Sequence, residues 1–194
     1  TSDATVIKDT GPAPSPFDGV AAVIEARMKS ANIPGLAAAV TARGKVVWSG
    51  AYGRAHISPD RPVTVKTPFM MASVSKTVTA VALMRAVQDG QLSLEDSVNA
   101  KLPFSVDNPR TEGEVILIRH LVSHTSGLRD NWSNMPYFDG DPTVSLADYL
   151  KGYLVKGGKY YDAKANFSAT SPGAAFDYCN IATALAGYVV ELVT

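Results

Sequence analysis

Met70-Met71-Ala72-Ser73-Val74-Ser75-Lys76-Thr77-Val78-Thr79-Ala80-Val81-Ala82-Leu83-Met84 is the stretch around which the 194-residue chain is organised. Pro62, Thr67 and Pro68 break regular structure before it, and Asp89-Gly90 ends the apolar run after it. Glycine is the usual residue for closing a helix in the left-handed conformation, so the pattern predicts a helix from near Ser73 to Asp89. Lys76, Arg85 and Gln88 are its few polar positions, and a helix apolar on most of its circumference is expected to be buried. Residues three apart on a helix lie side by side, roughly 5–6 Å between Cβ atoms. Ser73 and Lys76 could therefore form a nucleophile–base pair, the plainer alternative being a serine that only caps the helix. Burial would disfavour the lysine's charge, and the helix N-terminus would favour a developing oxyanion near Ser73.

The bulk properties exclude several classes of function. Formal net charge is zero and the pI is about 6.8, which gives no electrostatic pull toward nucleic acid or an anionic membrane. An apolar content of 46% supports a sizeable core, and no run is long and apolar enough to span a bilayer. The one cysteine, Cys179, excludes an internal disulfide. Residues 1–16, with Gly11-Pro12-Ala13-Pro14-Ser15-Pro16, read as a tether, which fits an exported product or a trimmed chain. A periplasmic or secreted location is favoured over a cytoplasmic one.

Ser15-Pro16-Phe17-Asp18 has the pattern of a helix start, followed by an apolar stripe of Phe17, Val20, Ala21, Ile24 and Met28. Leu36–Val40 and Val46–Trp48 predict an antiparallel hairpin around Arg43-Gly44-Lys45. Ser93-Leu94-Glu95-Asp96 predicts a short helix ended by Pro103, and Val115–Ser123 a further helix closed by His124-Thr125-Ser126-Gly127. Residues 129–144 are expected to be irregular, Leu146–Leu154 helical, and the segment from Ile181 to Leu192 an amphipathic helix.

A second candidate site precedes that last helix, at Tyr178-Cys179-Asn180. An extended or turn backbone would aim Tyr178 and Asn180 the same way. A phenol facing Lys76 would have its pKa lowered and could take the Ser73 proton, while the Asn180 amide could bridge the lysine and a substrate carbonyl. The plainer alternatives are a packed loop tyrosine and an asparagine that caps the helix. His120 and His124, four apart, could offer two metal ligands, but neither a Glu beside His120 nor a clear third ligand is present, so no metal or other cofactor is expected. His124 is read instead as fixing the turn at Gly127. No partner is visible for Cys179 as a nucleophile. Tyr160, Tyr161 and Trp132 could line a cleft or merely pack.

Ser73-Val74-Ser75-Lys76, then Ile118-Arg119-His120-Leu121-Val122-Ser123-His124-Thr125-Ser126-Gly127-Leu128, then Pro172-Gly173 through Tyr178-Cys179-Asn180 occur in that order. Together they resemble the serine β-lactamase and penicillin-binding-protein superfamily, in its class C-like branch of β-lactamases, D-Ala-D-Ala carboxypeptidases, D-aminopeptidases and esterases. The resemblance covers roughly residues 17 to 194. It implies an α+β fold, an antiparallel sheet flanked by helices plus a mostly helical lobe. It implies Ser73 as acylated nucleophile with its backbone N–H in the oxyanion hole, Lys76 as proton partner, Tyr178 as base and then acid, and Asn180 as substrate-binding. The expected substrates are a small ester or β-lactam, with a D-amino-acid peptide as the alternative. A catalytically silent binding or scaffold module is the reading from another class.

The resemblance also implies a division into residues 17–72, with the first helix and strands of the α/β lobe, and 73–194, the helical lobe. The superfamily's third motif, Lys-Thr-Gly, His-x-Gly or Trp-x-Gly, would lie well after the Tyr motif. Lys156-Gly157-Gly158 precedes Tyr178 and is rejected, and Ser97-Val98-Asn99 comes too soon after Ser73 to be the class A second motif. An exposed hairpin edge is a poor stopping point for a sheet. The expectation is therefore an N-terminal piece of a longer protein, with its own C-terminal segment as natural partner. Leu117 stands where the superfamily often has a Thr cap.

Overall fold

The computed structural model describes residues 15–194 in two compact units, the first ending at Met70 and the second running from Met71 to Thr194. The expected N-terminal tether lies outside the described residues except for Ser15 and Pro16.

In the first unit, helix α1 spans Val20–Ser30. It begins later than the capping pattern predicts. The Ser15 N–H donates to Asp18 Oδ2 at 3.0 Å and the Phe17 N–H to Ser15 Oγ at 3.2 Å, closing a separate turn. Gly19, at φ 81°, then separates that turn from the helix. Met28 is the buried member of the apolar stripe, and Phe17 stacks on Trp48 with ring centroids 5.8 Å apart. Strands β1, Gly35–Ala42, and β2, Lys45–His56, form the expected antiparallel hairpin, longer at both ends. Ala42 pairs with Lys45, so Arg43 and Gly44 alone make the turn, at φ 49° and 73°. Two successive positive φ values define the type I′ turn, whose twist matches paired strands. A two-residue strand β3, Arg61–Pro62, adds antiparallel to β2, giving the order β1-β2-β3.

In the second unit, a 3₁₀ turn over Ala72–Val74 leads into helix α2, Ser75–Gln88. Its end is a Schellman motif: the Gly90 N–H donates to the Val87 carbonyl at 3.1 Å and the Gln91 N–H to the Ala86 carbonyl at 3.0 Å, with Gly90 at φ 73°. The expectation of a buried helix is corrected. Leu83 and Ala86 are its buried residues, while Val78 and Val81 are 69% and 70% exposed. Only the side of α2 turned toward helix α5 (Asn180–Val193) is covered, so its apolar character elsewhere is not matched by packing in the described chain.

The Ser93 pattern also yields a turn rather than a helix. The Ser93 N–H donates to Asp96 Oδ2 and the Glu95 N–H to Ser93 Oγ, at 2.9 and 3.2 Å. The carbonyls of Leu94 and Asp96, which a helix would use internally, accept instead from Arg119 and Ile118 N–H at 3.0 Å. One 3₁₀ turn follows at Val98–Ala100. Helix α3 is short, Ile118–Val122, and helix α4 spans Leu146–Leu154 as predicted, with Ser145 Oγ accepting the Asp148 N–H at 3.1 Å. Leu117 has no side-chain acceptor to offer α3. The returning half of a capping box is present, as His120 Nδ1 accepts the Leu117 N–H at 3.2 Å.

Leu83, Leu121, Leu150, Tyr153, Phe167 and Leu185 are fully buried in one continuous core that joins α2 to α5. The irregular segments over it are tied by side chains. Fully buried Asn166 donates to the carbonyls of Tyr153 and Tyr160 at 2.9 and 2.8 Å and accepts from Asn131 Nδ2 at 3.0 Å. Tyr153 Oη accepts the Asn131 N–H at 2.6 Å and donates to the Arg129 carbonyl at 2.9 Å. Residues 129–131 are thus fixed from below despite having no regular structure. Among the described residues, no helix is long and apolar enough to cross a membrane.

Candidate active site

The site is assembled entirely within the second unit. Ser73 sits in the 3₁₀ turn just before α2, and Lys76 in the first turn of the helix. Lys76 Nζ donates to Ser73 Oγ at 3.3 Å, the adjacency that the three-residue spacing predicts. Ala72, immediately before the serine, has φ 44°, a left-handed conformation that costs a non-glycine residue about 1–3 kcal/mol and that turns the chain sharply into the helix. Tyr178 arrives from 105 residues away, and its hydroxyl donates to Ser73 Oγ at 2.6 Å. Lys76 Nζ lies 5.1 Å from the Tyr178 ring centre. The three predicted residues therefore meet. Lys76 first and Ser73 second hold the Tyr178 phenol below its ordinary pKa, against a smaller opposing effect of desolvation.

One expectation about this trio is corrected. Ser73 and Tyr178 are exposed, and Lys76 is half-buried. The deep burial expected to act on the lysine is absent because α2 has only one covered side.

Asn180 is placed differently from Tyr178. Cys179 is extended at φ −141°, but Asn180 already begins α5. Its Nδ2 donates to Asp130 at 2.6 Å, and its backbone N–H to both Asp130 carboxylate oxygens at 2.9 and 3.0 Å. The Ile181 N–H donates to the same carboxylate at 3.1 Å and Cys179 Sγ at 3.4 Å. Asp130 thus places a negative charge at the positive end of a 14-residue helix. The residue capping α5 is Cys179, whose sulfur accepts the Ala182 N–H at 3.3 Å. Burial, reinforced by Asp130, pushes the Cys179 thiol up, so it stays protonated.

Sequence reasoning missed Asp130. It sits in a stretch rich in Asn, Asp and Gly where an acid is ordinary, and its target lies 50 residues on. His124 does more than close a turn. It has φ 56°, its ring lies 4.6 Å from that of Tyr178, and its Nδ1 accepts the Cys179 N–H at 3.2 Å. Gly127, at φ 74°, closes the same loop. A Cβ there would come within 3.1 Å of the Thr170 carbonyl and 3.2 Å of Asn108 Nδ2. His120 is engaged with Leu117 and with Arg119, so the two histidines serve separate local structures. Among the described residues, no group of three or more His, Cys, Asp or Glu side chains is placed to hold a metal ion. Tyr160 and Tyr161 pack against the core, while Trp132 is exposed.

The Beta-lactamase family matches residues 20–194, and the chain belongs to that family. Its fold is the α+β fold of β-lactamases and penicillin-binding proteins. A penicillin-binding protein homologue from Pyrococcus abyssi is similar with a TM-score of 0.73 and 25% identity, over 92% of this chain and 39% of that one. A class C beta-lactamase solved with cefoxitin is 32% identical at a TM-score of 0.65, over 89% of this chain and 43% of that one. Esterase EstB from Burkholderia gladioli is 33% identical over 108 residues, 55% of this chain and 28% of the esterase. The chain spans about a third of the length of the curated relatives it matches, from 28% to 32% of them.

Proposed function

We propose that the full-length protein carrying this chain is a serine hydrolase that works through an acyl-enzyme, with Ser73 as nucleophile and Lys76 and Tyr178 as its proton-handling partners. One observation carries the reading: Tyr178 Oη and Lys76 Nζ lie 2.6 and 3.3 Å from a single serine oxygen. At rest the phenol donates to the serine. Once the phenol is ionised the hydrogen bond reverses, and Tyr178 accepts the Ser73 proton as Oγ attacks a carbonyl carbon. Lys76 favours the phenolate form. The bond to the leaving group then breaks, and Tyr178 returns the proton to it. A water molecule hydrolyses the acyl-serine by the same proton path, which restores the Ser73 hydroxyl. The α2 N-terminus and the Ser73 N–H stabilise the oxyanion.

The substrate class is an ester or a β-lactam-like amide, in keeping with the esterase and β-lactamase among the similar proteins. Asn180, oriented by Asp130, contacts the substrate. We place the protein in the periplasm or outside the cell, where such substrates are met. The test is turnover of p-nitrophenyl acetate and of a chromogenic cephalosporin by the full-length protein. Ser73→Ala should abolish whichever activity is present. Turnover that survives the substitution would reject Ser73 as nucleophile.

A further inference from the structure

We propose that His124 is a positioning residue for Tyr178, clamping the phenol onto Ser73 through a hydrogen bond that only the neutral imidazole can make; this rests on the acyl-enzyme reading above. The clamp has three points. The His124 carbonyl accepts the Asp177 N–H at 2.8 Å, on one side of Tyr178. His124 Nδ1 accepts the Cys179 N–H at 3.2 Å, on the other side. Between them the two rings lie 4.6 Å apart, tilted by 35°. The residues that flank the phenol in sequence are thus both tied to one histidine, and the ring between them rests on its imidazole.

The left-handed backbone of His124, φ 56°, belongs to this arrangement, since one residue uses both its carbonyl and its side chain on the same short segment. Phe176 also meets the imidazole, edge-on, with centroids 5.7 Å apart. Because Nδ1 accepts, the ring proton of neutral His124 is on Nε2. Protonation of Nδ1 would turn two donors against each other and release the Cys179 N–H.

The charged and titratable groups around the imidazole come from three elements. Lys76 on α2 opposes protonation, Asp130 in the loop favours it, and Tyr178 and Cys179 precede α5. Burial, then Lys76, keeps His124 below its ordinary value. The clamp is therefore closed at neutral pH and opens in acid.

Two substitutions suit a left-handed backbone and differ in the acceptor they offer. In His124→Asn, Oδ1 stands near the position of Nδ1 but does not protonate, and His124→Gly removes the acceptor. In the full-length protein, His124→Gly should lower kcat about tenfold, the size of one lost hydrogen bond, with KM changed by less than about twofold. His124→Asn should keep kcat within about threefold of wild type and lose the acid limb of the pH profile that His124 supplies. A second measurement needs no turnover. The ring resonances of 13C-labelled Tyr178, assigned by their loss in Tyr178→Phe, should shift with His124 titration in wild type and not in His124→Asn. Equal kcat in the Asn and Gly variants, or Tyr178 resonances blind to His124 titration, would overturn the clamp. Wild-type protein with no Ser73-dependent turnover but a normal resonance shift would reject the hydrolase reading, and with it the catalytic purpose of the clamp, while leaving the clamp as structure.

Discussion

Asp130 holds Asn180 by three hydrogen bonds, two from its backbone N–H at 2.9 and 3.0 Å and one from its side-chain amide at 2.6 Å. A single carboxylate thereby sets where α5 begins and which way the Asn180 amide faces. The loop that carries Asp130 is itself held from the core, where Tyr153 bonds Arg129 and Asn131 and Asn166 bonds Asn131. The approach of Tyr178 to Ser73 depends on this chain of contacts, because Tyr178 lies two residues before Asn180.

Asp130→Ala should therefore destabilise the fold by about 2–4 kcal/mol, the loss of charge-assisted hydrogen bonds plus a helix-terminal charge. Asp130→Asn should cost less, since one oxygen acceptor remains, yet it should still perturb Asn180, because two amide donors would face each other. Denaturant titration of both variants checks the order.

Gly187 on α5 offers the opposite kind of test. A Cβ there would meet Thr79 Cγ2 of α2 at 3.6 Å, ordinary van der Waals contact. Glycine in a helix interior costs roughly 0.5–1 kcal/mol relative to alanine, so Gly187→Ala should stabilise the protein by about that amount. Leu83→Ala, which empties a fully buried site on α2, should cost about 2–5 kcal/mol. Thermal melts that place the two variants on opposite sides of wild type confirm the packing of α2 on α5.

Stability should also fall on mild acidification. Burial, the leading cause at each, lowers the pKa of both His120 and His124 below 6.5 in the folded chain. The unfolded chain then binds more protons than the folded one, so stability is present above the unfolded value of about 6.5 and is lost as pH falls below it. Asp96 and Asp162, lowered by hydrogen bonds from Lys101 and Ala165 respectively, add a further loss in more acidic solution. Melting temperature followed between about pH 7 and pH 5 should decline, and His124→Asn should flatten part of that decline.

The catalytic pH dependence has its own sign. Tyr178 must be ionised to accept the Ser73 proton, and its neighbours lower its pKa. Acylation should rise with pH through a midpoint below the ordinary tyrosine value of about 10. Tyr178→Phe should remove that rise and slow acylation by about 10²–10⁴-fold, the range for loss of a general base.

Much of this architecture was legible in the residues alone, where local chemistry and final structure agree. Arg43-Gly44-Lys45 marked the hairpin because glycine suits the positive φ of a tight turn, and the helix read over Leu146–Leu154 forms with those bounds. Ser73, Lys76 and Tyr178 were legible because helical spacing and motif order constrain them together. What escaped was non-local. The Ser93 pattern closes a turn because residues 118 and 119 take the carbonyls a helix would use. The exposed side of α2 cannot be inferred from its composition, which is apolar on most of its circumference. Asp130 is an acid in a loop of acids and amides until α5 is brought to it.

The most direct test of the central claim is intact-mass and peptide analysis of the full-length protein quenched during reaction with a slowly hydrolysed ester or a labelled penicillin. The account predicts one acyl group on the peptide containing Ser73, absent in Ser73→Ala and formed far more slowly in Tyr178→Phe. Substrate turnover without any adduct at Ser73, or an adduct that forms at the wild-type rate in Tyr178→Phe, would contradict it.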